Sequence, residues 1–123
     1  MEFKDAKAYV RKEKFAIVKA TKCIDGAFAN IVDKDEVSVI IDETKVDVNL
    51  DYVIESDCGW KIITLDVKFA FDVVGVTAKI STALAEANVS LIPIAAFSRD
   101  HFLVKDIEKA KNVFENLGIR ISN

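Results

Sequence analysis

Histidine, cysteine and proline are scarce in this chain, and each scarcity removes a class of chemistry. One histidine and two cysteines serve 123 residues. Cys23 and Cys58 stand far apart and form no Cys-x-x-Cys pair. A structural zinc site usually takes four Cys or His ligands, so no metal is expected and two free thiols in a reducing compartment are the better reading. No apolar stretch approaches the ~20 residues of a membrane span. The N-terminus also lacks the basic-then-apolar pattern of a signal peptide. These absences lead us to expect a cytoplasmic protein with no membrane partner. A surplus of positive charge is missing too: 17 Lys and Arg face 20 Asp and Glu, a formal net charge of −3. General nucleic-acid binders neutralise phosphates with Lys and Arg, so no nucleic-acid partner is expected. The first 22 residues are locally basic, but Glu2, Asp5 and Glu13 interleave with the lysines, which reads as a solvated face.

What the chain does have is ordinary globular material, 51% hydrophobic and 30% charged. That length supports one compact domain or two small halves sharing a core. The second half is the more legible. Residues 60–67 alternate, with Ile63, Leu65 and Val67 on one side and Thr64 and Asp66 on the other, which predicts a strand. Val73, Val76, Thr77, Ile80, Leu84 and Ala87 then follow at helical spacing, ending where Asn88 can take a left-handed cap. Residues 90–98 form a short apolar run holding the single proline, Pro93, which places that strand at a sheet edge. Arg99-Asp100 is expected to make a tight turn into a third strand, His101 to Lys105. Asp106 caps a second helix striped by Ile107, Ala110, Phe114 and Leu117, stopped by Gly118-Ile119 before a last strand.

The resulting order, βαββαβ, is that of an α+β ferredoxin-like unit with both helices on one face of an antiparallel sheet. Its first and third strands are central and its second and fourth are edges. The first half looks like a shortened echo, with strands at 15–19, 28–32 and 36–42. Only about seven residues (21–27) separate the first two, too few for an ordinary crossover helix. Residues 44–58 read as connecting chain, with room for a short helical turn or a strand around 51–55.

The loops carry no catalytic constellation. Acyl-phosphate hydrolysis would need an arginine in residues 68–75, and copper transfer two cysteines there; both are absent. RRM-type RNA binding would need more aromatics on the central strands. His101 beside Asp100 has no nucleophile near in sequence and reads as a surface or turn histidine. Asp66 and Asp72 flank the first loop and are equally well a cation-binding pair or a strand residue and a helix-opening acid. Ser81 and Ser98 lack a Gly-x-Ser-x-Gly context. What remains is the strand-to-helix loop, whose unpaired helix amides suit a carboxylate. Gly75 there allows close approach either by a ligand or by a packed strand.

Three stretches, Gly59-Trp60, Phe71-Asp72-Val73-Val74-Gly75-Val76 and Phe97 through Val104, resemble the ACT-domain family, in particular small proteins with two ACT-like repeats and the ACT pairs of cytosolic arginine sensors. The hairpin at 28–41 resembles that of a first repeat. The resemblance implies an abbreviated ACT-like repeat with connecting segment at 1–58 and a complete ACT domain at 59–123. It also implies a non-enzymatic regulatory module, without cofactor, that binds a small molecule, usually an amino acid, at an interface between ACT units, acting as a homodimer. The contacts carried over are Phe71, Asp72, Val73, Val74, Gly75, Val76 and Asp100. Asp100 would meet an ammonium group and the 74–76 amides a carboxylate. The chain departs from the family in having Ala70-Phe71-Asp72 for Asp-Phe-Ser, and Ala96-Phe97 for Ser-Thr before the hairpin. Those changes remove or displace polar contacts and leave two alternatives, a different ligand or a structural interaction module with a vestigial site.

Overall fold

The computed structural model of the chain describes residues 3, 6–67 and 75–122. The strands are β1 (Lys7–Val10), β2 (Phe15–Ala20), β3 (Ala29–Val32), β4 (Val37–Asp42), β5 (Val53–Leu65), β6 (Leu91–Ala95), β7 (Asp100–Val104) and β8 (Arg120–Ser122). The helices are α1 (Val76–Glu86) and α2 (Ile107–Asn116), and two 3-10 segments lie at Glu43–Lys45 and Asp47–Tyr52. The chain divides into two compact units, Glu13–Trp60 and Met1–Lys12 with Lys61–Asn123.

In the unit 13–60, the strand order is β3-β4-β2-β5, antiparallel throughout. This is the split-βαβ order with both crossovers shortened. Period-two alternation turns Ala16, Val18 and Ala20 of β2 and Val37, Val39 and Ile41 of β4 to one side, where they form the core. With no room for a helix over residues 21–28, Ile24 is pressed onto that core instead. The Asn30 side chain fixes it there, accepting from the Ile24 amide at 2.9 Å and donating to the Ile24 carbonyl at 3.1 Å. Burying one Ile stabilises by roughly 1.5–3 kcal/mol. Val46, between the 3-10 segments, covers the other end. Residues 44–58 take both options the sequence left room for, a short helical turn and a strand: the 3-10 turns stand where a second helix would, and β5 begins at Val53. Within β5 the register against β2 slips by one residue between the Asp57↔Ile17 and Trp60↔Phe15 pairs. Gly59, at φ 89°, takes up the bulge, a conformation that costs little only without a Cβ.

The other unit contains the βαββαβ element order read from the sequence, with β5 as its first strand, and its sheet runs β6-β7-β5-β1-β8. As expected, β5 and β7 are central. Among the described residues β6 pairs only with β7, and β8 only with β1. Pro93 thus sits on an edge strand, opposite Phe102. The basic N-terminal run is more than the expected solvated face: Lys7, Lys12, Lys14, Lys19 and Lys22 are exposed, but the segment also supplies a strand. Lys7–Val10 is a strand inserted between β5 and β8, antiparallel to one and parallel to the other, with Ala8 only 1% exposed. Ile63, Leu65, Phe102 and Val104 face α1 and α2, whose Ile80, Leu84, Ala110 and Phe114 complete the core. Phe102 and Phe114 meet edge to face, centroids 5.7 Å apart.

Both helices stop as their sequences ask. Asn88 at φ 60° and Gly118 at φ 93° follow the last turns. The bonds from Val89 N to Leu84 O and from Ile119 N to Phe114 O, 3.0 Å each, close Schellman motifs. Asp106 accepts from the Lys109 amide at 3.1 Å, capping α2.

Candidate functional site

The strand-to-helix junction gains its geometry from β7 and α1. The hairpin turn occupies residues 96–99, closed by Ala96 N to Arg99 O at 3.1 Å, so Asp100 is the first residue of β7 rather than part of the turn. Its register partners are Leu65 on β5 and Ala95 on β6. Because side chains alternate across a strand, Asp100 shares a face with Phe102, the face that carries the helices. There it meets the first turn of α1, where the Thr77 hydroxyl donates to Asp100 Oδ2 at 3.3 Å.

Gly75 is the N-cap of α1 rather than part of its first turn, with φ 89° and ψ 0°, and it supplies no side-chain cap. The opening amides of α1 thus carry positive potential beside a carboxylate, an arrangement that suits an anion at the amides and a cation at Asp100. Val76 is buried in the core and offers the site only its backbone. Of the residues expected to contact a ligand, Gly75, Val76 and Asp100 come together here. Phe71, Asp72, Val73 and Val74 lie outside the described residues.

Thr77 was not singled out from sequence. Its position on the apolar stripe of α1 hid it, and only the Leu65↔Asp100 register brings a carboxylate above it. Asp66, read as one of a possible cation-binding pair, is engaged on the opposite sheet face. Arg99 Nε reaches its Oδ1 at 2.7 Å and Lys7 its Oδ2 at 3.9 Å. His101 is likewise no turn histidine. It stands on β7 opposite Thr64 of β5, its Nδ1 2.9 Å from the Thr64 hydroxyl. Burial, and then the charge of Arg11, hold its imidazole below the ordinary histidine value, opposed by Asp100. Phe97 is exposed at the hairpin tip.

Elsewhere, a shallow cleft of about 230 Å³ lies on the unit 13–60, lined by Ile17, Lys19, Glu36, Ser38, Glu55 and Asp57 among others. Lys19 and Glu36 approach to 3.9 Å across it. Cys23 and Cys58 are both exposed. No group of three metal-ligating side chains occurs among the described residues, and no helix there is long and apolar enough to cross a membrane.

Residues 55–116 match the ACT domain family, and the chain belongs to that family. No curated protein matches it in sequence. Among solved structures, it is similar to an Agrobacterium tumefaciens protein at TM-score 0.80 and 22% identity, covering 95% of this chain and 92% of that one. It is similar to the allosteric aspartate kinase of Clostridium acetobutylicum at TM-score 0.69 and 17% identity, over 89% of this chain and 34% of the kinase. The ligand-free regulatory subunit of the Thermus thermophilus aspartate kinase aligns at TM-score 0.58 and 9% identity, over 89% and 95% of the two chains. At these identities the likeness is one of fold.

Proposed function

We propose that this chain is a non-catalytic regulatory module that binds an amino acid at an interface between ACT units, as a cytoplasmic homodimer of two-repeat chains. The unit 13–60 is then an ACT-like repeat with both helices replaced, and the unit built on 61–123 a full ACT domain completed by β1. The observation that carries the reading is Asp100 held by Thr77 at the uncapped opening of α1. A carboxylate and a row of helix amides side by side are what the ammonium and carboxylate of one amino acid require. The edge of β6, unpaired on its outer side among the described residues, with exposed Phe97 at the adjoining hairpin, supports association with a second unit. The resemblance of the fold to regulatory parts of aspartate kinases agrees with a regulatory role.

A second reading, a structural interaction module with a vestigial site, is favoured by Thr77 already occupying one Asp100 oxygen. Thermal shift against the twenty amino acids, with calorimetry on any that act, separates the two. A functional ligand at ~100 times its Kd should add about 2.7 kcal/mol of stability, and Asp100→Asn should abolish the gain without lowering the stability of the free protein. Failure of every amino acid at millimolar concentration, with dimerisation intact, would overturn the binding reading.

A further inference from the structure

Seven large apolar side chains stand exposed among the described residues, and four of them fall between positions 48 and 54: Val48 (79% exposed), Leu50 (58%), Tyr52 (37%) and Ile54 (52%). They belong to the second 3-10 segment and the first residues of β5, within the unit 13–60. That 3-10 segment has no buried residue at all. A fold that economises on core by replacing a helix with a 3-10 turn gains nothing by placing four bulky apolar groups in water. Such a concentration marks an interaction surface more often than scattered exposed residues do.

The charges around the four say what kind of partner fits. Asp47, Asp51 and Glu55 interleave with them and make no ion pair among the described residues. Lys22 already lies on this surface, its Nζ 3.9 Å from the centroid of the Tyr52 ring. The chain itself thus places a cation on the aromatic face, a contact stabilised by the ring quadrupole. Three carboxylates interleaved in sequence with the apolar side chains disfavour an anionic lipid surface. They also disfavour a second copy, since a two-fold contact through the strip would bring like charges close.

We propose that residues 47–55 form a docking surface for a basic segment of another protein, one that carries Lys or Arg around bulky apolar side chains. The surface is separate from the Asp100 site and does not depend on the ligand reading. Lys and Arg of the partner meet Asp47, Asp51 and Glu55, and its apolar groups cover Leu50, Tyr52 and Ile54.

The test is a titration of the isotope-labelled full chain with a short peptide alternating lysine with leucine, and with its glutamate counterpart, read by amide chemical shifts. Shifts should centre on residues 47–55 and on Lys22, and the glutamate peptide should bind at least about tenfold more weakly. The paired variants Asp51→Lys with Glu55→Lys, and Leu50→Ser with Ile54→Ser, should each lose about tenfold in affinity for the lysine peptide. All four positions are exposed, so circular dichroism should remain that of the parent chain. Shifts that map elsewhere, or affinity unchanged by either pair, would overturn the proposal. So would sedimentation showing a dimer that the serine pair alone dissociates, since the occupant is then a second copy. Binding to phosphatidylserine vesicles that the serine pair abolishes would overturn it too.

Discussion

Thr64 is the only polar residue that is buried as a whole among the described residues, fully removed from solvent on β5, and its hydroxyl lies 2.9 Å from His101 Nδ1. The asymmetry of hydrogen-bond energetics makes the pair a sharp test of this register. In His101→Leu, the Thr64 hydroxyl is left without that partner and without water, and the cost should be about 1–3 kcal/mol. Thr64→Val keeps the side-chain shape and removes the hydroxyl. His101 is only partly buried and can regain water, so this change should cost less, about 0.5–1.5 kcal/mol. The double variant has no orphaned group, and its cost should fall short of the sum of the singles by roughly 1 kcal/mol or more. Charges that His101 feels from Arg11, Asp100 and Arg99 are lost in both arms of the cycle and cancel to first order. Urea denaturation near pH ~7.5, where an unperturbed imidazole is largely neutral, measures all four proteins with a common m-value as control. Additivity to within ~0.3 kcal/mol would refute the coupling, and with it the placement of His101 against Thr64.

The same histidine predicts a pH dependence. Its folded value lies below the ordinary one, so the unfolded chain takes up the proton first as pH falls through ~6.5. Stability is therefore held above that pH and lost below it, at no more than about 1.4 kcal/mol per pH unit from this group. The urea stability of the parent chain should drop more than that of His101→Gln between pH ~7.5 and ~5, and parallel curves would contradict the reading. At the end of α2, Gly118→Ala should cost about 1–2 kcal/mol through backbone strain alone. Among the described residues a Cβ there meets only Phe3 O, at 4.0 Å, while φ is +93°. Asn88→Gly, at φ 60°, should be neutral or slightly stabilising in the same thermal melts, and equal effects at the two positions would count against the left-handed caps.

How much of the fold could be read in advance depended on whether a segment's partners were local. The helix stops at Asn88 and Gly118, the Asp106 cap and the edge position of Pro93 are set by backbone chemistry within a few residues, and all four were legible. The strand β1 was not. Four residues, Lys-Ala-Tyr-Val, carry too little alternation to announce a strand amid lysines, and their place between β5 and β8 is decided by pairing across more than fifty positions of chain. The 3-10 segments were legible only as room for a short turn, for a related reason. The cap of the first, the Thr44 amide donating to Asp42 Oδ1 at 2.9 Å, resembles any Asx turn, the second has no side-chain cap, and Val46 counts as core where, among the described residues, a 3-10 turn stands in place of a helix.

For the candidate site, the sequence offered residues and the structure their arrangement. A helix opening after a strand suggested amides suited to an anion, and Asp100 was named because the hairpin resembles that of a known family. What periodicity could not supply was the face on which Asp100 lies. A turn at 99–100 leaves that undetermined, whereas a turn at 96–99 starts β7 at Asp100 and fixes its parity with Phe102. A one-residue slip of β7 would send the carboxylate to the Thr64 side, beside Asp66, where the two acids would repel. The observed register instead gives Asp66 to Arg99 and Asp100 to Thr77, so each carboxylate has its own donor. It also opposes Phe102 to Ile63 over the helices. The aromatic core and the separation of the two acids therefore select the same register, and that register is what sets a carboxylate at the mouth of α1.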